Sequence, residues 1–284
     1  MVRIISDSST LYSIEEGKQK NVDIVPLSVT IAGQTYLENE EIDAEELVNL
    51  IKEGNIPSSS QPAVGRVIDL YNKYDKEEII NITMADGLSG TYNSACMAKK
   101  LCDNESHNHN IEVINSKTLC APLKYIVDTA TKLAEMGQSK NEIIDAVNSL
   151  IETSKSFLIP NDFDYLVRGG RLSSIAGKIA GVMKIFPIIT LSEDCKSLVK
   201  FSVKRTLKKS IEKICSELKE CGVDNSYKIF ISHGLAEESA IMAENIVREH
   251  FSHVEIEIYK LSPVLITQGG PGCLAVQTIK KYNK

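Results

Sequence analysis

The sequence predicts an α/β fold with two lobes, and the order of its apolar segments carries that prediction. In residues 1–155, short apolar runs alternate with stretches of helical spacing, which is typical of a three-layer lobe whose parallel sheet is covered on both faces. After about residue 155, strand pairs and helices alternate, which predicts a mixed sheet. No linker rich in proline, glycine or serine separates the halves, so we expect lobes of residues 1–155 and 156–284 that pack tightly.

In the first lobe, each element follows from a local signal. Gly33 interrupts an apolar run and predicts a hairpin. Asp43 and Ser139 are each followed three residues later by glutamate, which is the pattern of a capped helix start. Ser60, with Pro62 in the following turn, predicts another helix start. The predicted strands cover residues 2–5, 22–31, 34–37, 78–84 and 111–114, and the predicted helices lie at 43–54, after 60, from 91, at 119–136 and at 143–153.

The second lobe is predicted from the same signals. A turn at residues 193–195 stands between two apolar runs, which indicates an antiparallel hairpin. Helical and strand-like segments alternate after it. The predicted strands cover residues 157–159, 187–191, 198–203, 228–232 and 254–259, and the predicted helices cover residues 206–219 and 236–251.

Composition excludes several classes of protein. Hydrophobic residues make up 43% of the chain and charged residues 25%, an ordinary globular balance, and the net charge of −6 argues against a nucleic-acid partner. Seven cysteines without a Cys-x-x-Cys pair predict reduced thiols, no metal site and a cytoplasmic location. The most apolar stretch, residues 175–191, is interrupted by charges and is too short to span a bilayer.

Two serine-rich segments, residues 57–62 and 87–95, are the strongest candidates for a binding site. Ser89 and Thr91 fall where a predicted strand turns into a helix, so free backbone N–H groups and hydroxyls would meet an anion there. Ser59 lies in the other segment. The alternative is that these hydroxyls only cap helices. The second segment lacks the Gly-Lys-Ser/Thr ending of a nucleotide-binding P-loop.

Two further motifs suggest contacts. Small residues at spacing four in residues 175–186 would lie on one helix face, where they permit close approach of an acyl chain or of another helix. Arg168 and Arg171 flank a Gly-Gly turn, and their guanidinium groups suit a carboxylate, a phosphate or an acidic partner. The alternative for both arginines is a solvated loop. A second basic group comprises Lys204, Arg205, Lys208 and Lys209.

Five segments together resemble the DegV family of fatty-acid-binding proteins. They are Ser6-Asp7-Ser8-Ser9, residues 57–62, residues 87–95, residues 164–173 and Gly270-Pro271-Gly272, in the family's order over the whole chain. The resemblance implies a two-lobed DegV-like fold. It also implies a carrier of a long-chain fatty acid, with the ligand between the lobes and no cofactor.

The resemblance also implies which residues would contact the fatty acid. Ser59 and Ser89 would hold the carboxylate, although the family more often has threonine at the first position. Gln268 stands where histidine is common, so an amide that cannot be protonated replaces a titratable ring. The predicted ligand-binding residues are Ser59, Ser89, Thr91 and Gln268 at the carboxylate and Ala176, Ile179, Ala180 and Met183 along the acyl chain.

A protein partner is implied as well. In the family, a separate fatty acid kinase phosphorylates the bound acid to an acyl phosphate, so this chain would present the substrate and have no catalytic residues. Arg171 is the predicted docking residue for such a kinase. Contact with a membrane would be transient at most.

Two other classes of function remain open from the sequence. The chain could be a hydrolase or a phosphotransferase acting on a small anionic substrate, with Ser89, His233 and Asp7 as a triad. Gly87-Leu88-Ser89-Gly90-Thr91, however, lacks the final glycine of the nucleophile elbow. The third alternative is a protein-interaction module that uses the basic group at residues 204–209.

Overall fold

The computed structural model describes residues 2–104, 110–172 and 185–283. The predicted acyl-chain residues Ala176, Ile179, Ala180 and Met183 lie outside these ranges. Their role therefore stays a prediction.

The strands are numbered in chain order. They are β1 (Val2–Asp7), β2 (Val22–Val25), β3 (Ser28–Ile31), β4 (Gln34–Leu37), β5 (Ser58–Ser60), β6 (Glu78–Thr83), β7 (Asn110–Asn115), β8 (Lys155–Ile159), β9 (Phe186–Leu191), β10 (Leu198–Lys204), β11 (Tyr227–His233), β12 (Glu255–Lys260) and β13 (Leu274–Lys280).

The helices of the described residues are numbered in the same way, apart from a short 3-10 turn at Ser8–Thr10. They are α1 (Ile14–Gln19), α2 (Ala44–Lys52), α3 (Val64–Lys73), α4 (Thr91–Asn104), α5 (Cys120–Glu135), α6 (Lys140–Ile151), α7 (Asp164–Arg168), α8 (Leu207–Glu220), α9 (Glu237–His250) and α10 (Pro263–Gly269).

The first lobe contains a parallel sheet with helices on both faces, as predicted. Its strand order is β2-β1-β6-β7. On one face, Ile80 of β6 packs in a core with α5 and α6, and on the other face Ile79 packs with α3 and α4. Both faces are therefore buried, which explains why β6 is a nearly continuous apolar run.

The second lobe contains a mixed six-stranded sheet of order β10-β9-β8-β13-β11-β12. Only β11 and β12 are parallel, and the other neighbours in this sheet are antiparallel. Helices α8 and α9 cover one face through residues such as Ile214 and Val247. The opposite face meets the first lobe, where Phe230 and Ile279 share a core with Ile4. The two-lobed α/β fold class is confirmed, while the boundary at residue 155 stays a prediction.

Two predictions about the first lobe are wrong in detail. The apolar run of residues 22–31 forms two strands in different sheets, because Pro26 between them lacks the backbone N–H that a continuous ladder needs. Ser60 does not cap a helix, since it ends β5 and α3 begins only at Val64. The serine run is instead an edge strand of the three-stranded sheet β4-β3-β5, in which Ser59 pairs with Val29.

Besides β5, sequence reasoning missed four helices and strands of the described residues. They are α1, α7, α10 and β13. Helix α10 had a usable signal, because Ser262 precedes a proline in the first helical position. The sequence signal for strand β13 was weak, because Gln277 and Thr278 interrupt its apolar run. The strand nevertheless lies inside the six-stranded sheet, between β8 and β11, where almost all of its residues are buried.

A buried carboxylate connects distant parts of the chain. Glu38 is fully buried and accepts a hydrogen bond from the Ser8 hydroxyl at 2.5 Å and from the Val264 N–H at 2.9 Å. Ser8 Oγ also accepts from the Leu27 N–H. Because Val264 lies in the first turn of α10, Glu38 satisfies one of the helix's free N–H groups and holds α10 against the first lobe.

The Glu38 carboxyl makes stability depend on pH. Burial raises its pKa in the folded protein above the ordinary value of 4.5. The unfolded chain therefore releases this proton first, and the contribution to stability is lost as pH rises from 4.5 through the raised folded pKa. We expect Glu38→Gln, whose amide can still accept from Val264 and donate to Ser8, to show a smaller loss over that window. Urea unfolding of both proteins across this pH range measures the difference, and parallel curves would contradict the prediction.

Candidate functional site

A cavity of about 910 Å³, including its mouth, lies between the two lobes. Its floor is part of the six-stranded sheet, where Leu158 pairs with Ile189 and Leu191 pairs with Leu198. The concave shape and the apolar walls are those of a small-molecule site. The side chains that close it from the first lobe and from around α10 are Leu27, Met84, Leu88, Leu261, Val264 and Leu265.

Hydrogen-bonding side chains also line this cavity. Ser59, Ser89 and Gln268, three of the predicted carboxylate residues, all line it. Gln268 Nε2 donates to Ser59 Oγ at 2.9 Å. Because the amide nitrogen only donates, Ser59 keeps its own proton for another acceptor. This arrangement suits a ligand oxygen that accepts hydrogen bonds.

The Ser89 oxygen also accepts a hydrogen bond from a neighbouring residue. Its Oγ accepts from the Thr91 N–H at 3.3 Å and lies 2.8 Å from Thr91 Oγ1. When Thr91 donates its hydroxyl proton as well, the proton of Ser89 is free for a ligand. Thr91 is buried at the start of α4 and is not among the residues lining the cavity, so it positions Ser89 from behind.

The Gln268 amide fits closely against Gly169. A side-chain carbon at position 169 would lie 2.1 Å from Gln268 Oε1, which is far inside van der Waals contact. Gly169 itself has ordinary helical backbone angles. Glycine is therefore needed here for space, because it leaves room for the amide that holds Ser59.

Arg171 joins the two lobes beside this group. Its Nε donates to the carbonyl of Leu88 at 3.2 Å, and its Nη1 donates to the carbonyl of Gly169 at 2.5 Å. The side chain is half-buried and lines the cavity. A guanidinium has five N–H donors, so Arg171 keeps further donors after these two bonds. Its predicted role in docking a kinase stays a prediction.

A smaller, polar recess of about 380 Å³ adjoins the cavity. The two share Ser59, Arg171 and Gln268. Arg168, the other arginine of the motif, lines the recess and lies over the Tyr165 ring at 4.6 Å. Two guanidinium groups beside uncharged hydroxyls make this end of the cavity favourable for an anion.

The glycine-rich loop of residues 87–90 is packed by the other lobe and by a glutamine. A side-chain carbon at Gly87 would lie 2.3 Å from the Lys196 backbone, and one at Gly90 would lie 1.7 Å from Gln61 Oε1. Lys196 also forms an ion pair with Asp86. These glycines therefore allow the β9–β10 hairpin and Gln61 to approach the loop that presents Ser89.

The hydrolytic triad considered as an alternative is not assembled. Among the described residues, no hydrogen bond joins any two of Ser89, His233 and Asp7. His233 Nδ1 accepts from the Ala236 N–H, and burial lowers the pKa of the ring. Asp7 accepts from Ser9 and from the Met84 N–H. Each group is held in a structural role, and the nucleophile–base contact that such catalysis requires is missing.

Within the described ranges, no cluster of three or more His, Cys, Asp or Glu side chains could hold a metal ion. Over the same ranges, every helix is too short or too polar to cross a membrane.

Sequence reasoning missed much of the cavity wall. Ser156, Phe157 and Leu158 on β8 line the cavity, and so do Ala275 and Gln277 on β13. On β13 the lining residues alternate, which is the signal that a strand presents one face to a site. It was hidden because β13 was not predicted as a strand. No local sequence pattern indicated that Gln61 would pack against Gly90.

Comparison with known proteins places this geometry in a family. The model of the DegV family, described as "Uncharacterised protein, DegV family", matches residues 1–281. A DegV domain-containing protein of Staphylococcus aureus (strain N315) is 33% identical over 281 residues, which cover 98% of both chains. A DegV domain-containing protein of Listeria innocua is 28% identical, with 97% of both chains covered.

Solved structures of related proteins have a similar fold. DegV of Bacillus subtilis, a fatty acid binding protein, matches with a TM-score of 0.85 and 28% identity over 99% of both chains. A stearic acid-binding protein of Eubacterium ventriosum matches with a TM-score of 0.87 and 25% identity, again over 99% of both chains. A DegV family protein of Ruminococcus gnavus, refined with vaccenic acid, has a TM-score of 0.87 and 25% identity over 97% of this chain and 99% of its own. The fold, the full-length family match and the 33% identical relative show that this chain belongs to the DegV family.

Proposed function

We propose that the protein binds a long-chain fatty acid, with the acyl chain in the cavity and the carboxylate at the hydroxyl cluster. One observation carries the proposal: an apolar cavity contains Ser59 and Ser89, whose oxygens already accept hydrogen bonds, so that each hydroxyl can donate its own proton to a ligand. A carboxylate can accept both. The solved relatives of Bacillus subtilis and Eubacterium ventriosum, which bind fatty acids, support the same ligand class.

The acyl chain would supply most of the affinity. Burying about 14 methylenes is worth roughly 11 kcal/mol at about 0.8 kcal/mol each. Association and ordering costs of several kcal/mol oppose this gain. The hydrogen bonds of Ser59, Ser89 and Gln268 then fix which end of the ligand faces the polar recess.

We further propose that the bound carboxylate is presented to a separate fatty acid kinase, which converts it to an acyl phosphate. The polar recess supports this step, because it adjoins the hydroxyl cluster and is lined by Arg168 and Arg171. Guanidinium groups suit a phosphate, which carries more negative charge than the carboxylate it replaces. The protein would act as a carrier in the cytoplasm, with the catalysis done by the kinase.

Native mass spectrometry of the purified protein tests the ligand class. We expect a co-purifying fatty acid in the wild type and a lower retained fraction in Ser89→Ala. Losing a buried hydrogen bond to the carboxylate costs about 1–3 kcal/mol, which a titration with a fluorescent fatty acid would measure.

Ser216→Ala is the matched control, because Ser216 is a half-buried serine in α8 that does not line the cavity. Unchanged affinity in Ser89→Ala would remove Ser89 from the site. An empty wild-type protein that hydrolyses acyl or phosphate esters would favour the hydrolase alternative.

The Gly169 packing gives a second test of the carboxylate site. We expect Gly169→Ala to push the Gln268 amide away from Ser59, because the new methyl group would occupy the position next to Oε1. Fatty-acid affinity should fall to about that of Gln268→Ala, with little change in melting temperature, since the displaced atom ends a flexible side chain. Gly65→Ala in α3 is the control, because a side chain there meets open space. If the double variant Gly169→Ala/Gln268→Ala lost much more affinity than either single variant, the two residues would act separately.

Arg171→Glu tests the presentation step. Reversing one charge at a docking rim slows association with an acidic partner. Because Arg171 also lines the cavity, we expect the variant to bind fatty acid more weakly and, at saturating fatty acid, to be a poor substrate carrier for the kinase. Weaker binding with normal phosphorylation at saturating fatty acid would assign Arg171 to the binding site alone. If both properties survive, the basic group at residues 204–209 becomes the next docking candidate.

A further inference from the structure

A polar pair lies in the floor of the cavity, among apolar side chains. Gln277 of β13 and Ser156 of β8 face each other in register, and both line the cavity. Gln277 Nε2 donates to the Leu119 carbonyl at 3.1 Å and to Ser156 Oγ at 2.8 Å. Only 2% of Gln277 is exposed. A glutamine at this depth needs partners for both ends of its amide.

The orientation of this amide is fixed by its neighbour. The Leu119 carbonyl can only accept, so the nitrogen of Gln277 must face it. The amide oxygen therefore lies on the other side, and it has no hydrogen-bond partner among the described residues. Ser156 Oγ accepts from Gln277, and no described hydrogen bond uses the Ser156 proton. The pair thus offers one unused acceptor and one unused donor.

The position of this pair distinguishes it from the carboxylate site. Few side chains of the described ranges have a buried polar atom without a partner, and of these only Gln268 and Gln277 line the apolar cavity. Gln268 belongs to the hydroxyl cluster. Strand β13 begins at Leu274, just after the glycine loop that follows α10. Gln277 lies three residues further along the strand, a distance of about 10 Å.

We propose that the cavity selects a fatty acid that carries a hydroxyl group on its chain, away from the carboxylate. This inference rests on the proposed fatty-acid binding and names the ligand class more closely. A hydroxyl group donates to Gln277 Oε1 and accepts from the Ser156 hydroxyl at once, whereas a methylene leaves both unpaired. Leaving a buried acceptor unpaired is costly, so the preference should be measurable.

The test compares stearic acid with hydroxystearic acids that carry the hydroxyl at successive carbons, each titrated against the whole protein. We expect one isomer, or two adjacent ones, to bind about tenfold more tightly than stearic acid. In Gln277→Met this preference should disappear while stearic acid still binds. Ser156→Ala leaves the Gln277–Leu119 bond in place and should reduce the preference. It is the replacement test variant if a circular-dichroism melt shows that Gln277→Met does not fold.

Thr190→Val is the matched control. Thr190 lines the same cavity, but its hydroxyl already donates to the Ser156 carbonyl, so the preference should persist. The proposal is overturned if stearic acid binds at least as well as every hydroxylated isomer, which would mean that the pair holds a water molecule. It is also overturned if the preference survives in both Gln277→Met and Ser156→Ala. Failure of stearic acid and all the isomers to bind would instead reject the proposed function.

Discussion

The buried carboxylate of Glu38 connects the parts of the chain that must meet for the cavity to exist. It accepts from Ser8, at the end of β1, and from the Val264 N–H, at the start of α10. Helix α10 carries Gln268 at its other end and contributes Val264 and Leu265 to the cavity wall. A buried carboxylate is costly unless donors satisfy it, so the chain is stable with Glu38 inside only when these elements are in place. The same contact that stabilises the fold therefore positions one side of the site.

Close packing in this region depends on three glycines. Gly87, Gly90 and Gly169 each lie against a group that a methyl would displace: the Lys196 backbone, the Gln61 amide and the Gln268 amide. The Gly87 contact joins the two lobes, and Arg171 adds a polar bond between them by donating to the Leu88 carbonyl. Glycines in a loop before a helix are typical of phosphate-binding loops. Here they serve contact between parts of the protein, and the hydroxyl that they leave exposed is that of Ser89.

The site holds its hydrogen-bond donors ready without burying a charge. Ser59 and Ser89 accept from Gln268 and from the Thr91 N–H, so each hydroxyl can donate its own proton to a ligand. Arg168 lines the adjoining recess, and Arg171, which lines both the recess and the cavity, is only half-buried. Uncharged donors avoid the large desolvation cost that a buried cation would carry in an empty apolar cavity. Affinity can then come from the chain and orientation from the head group.

Local patterns in the sequence predicted the two-lobed α/β class, because apolar periodicity reports which residues of one element face a core. The family resemblance predicted Ser59, Ser89 and Gln268 as one site, and the structure places all three around one cavity. Local patterns did not show that the run at Ser58–Ser60 is an edge strand, since β3 provides its partners. They also could not pair Glu38 with Val264, which is 226 residues away. Nor could they place Gln277 opposite Ser156, 121 residues away. Such contacts depend on how strands and helices are arranged in space, so only the tertiary structure decided where the cavity lies and which polar groups line it.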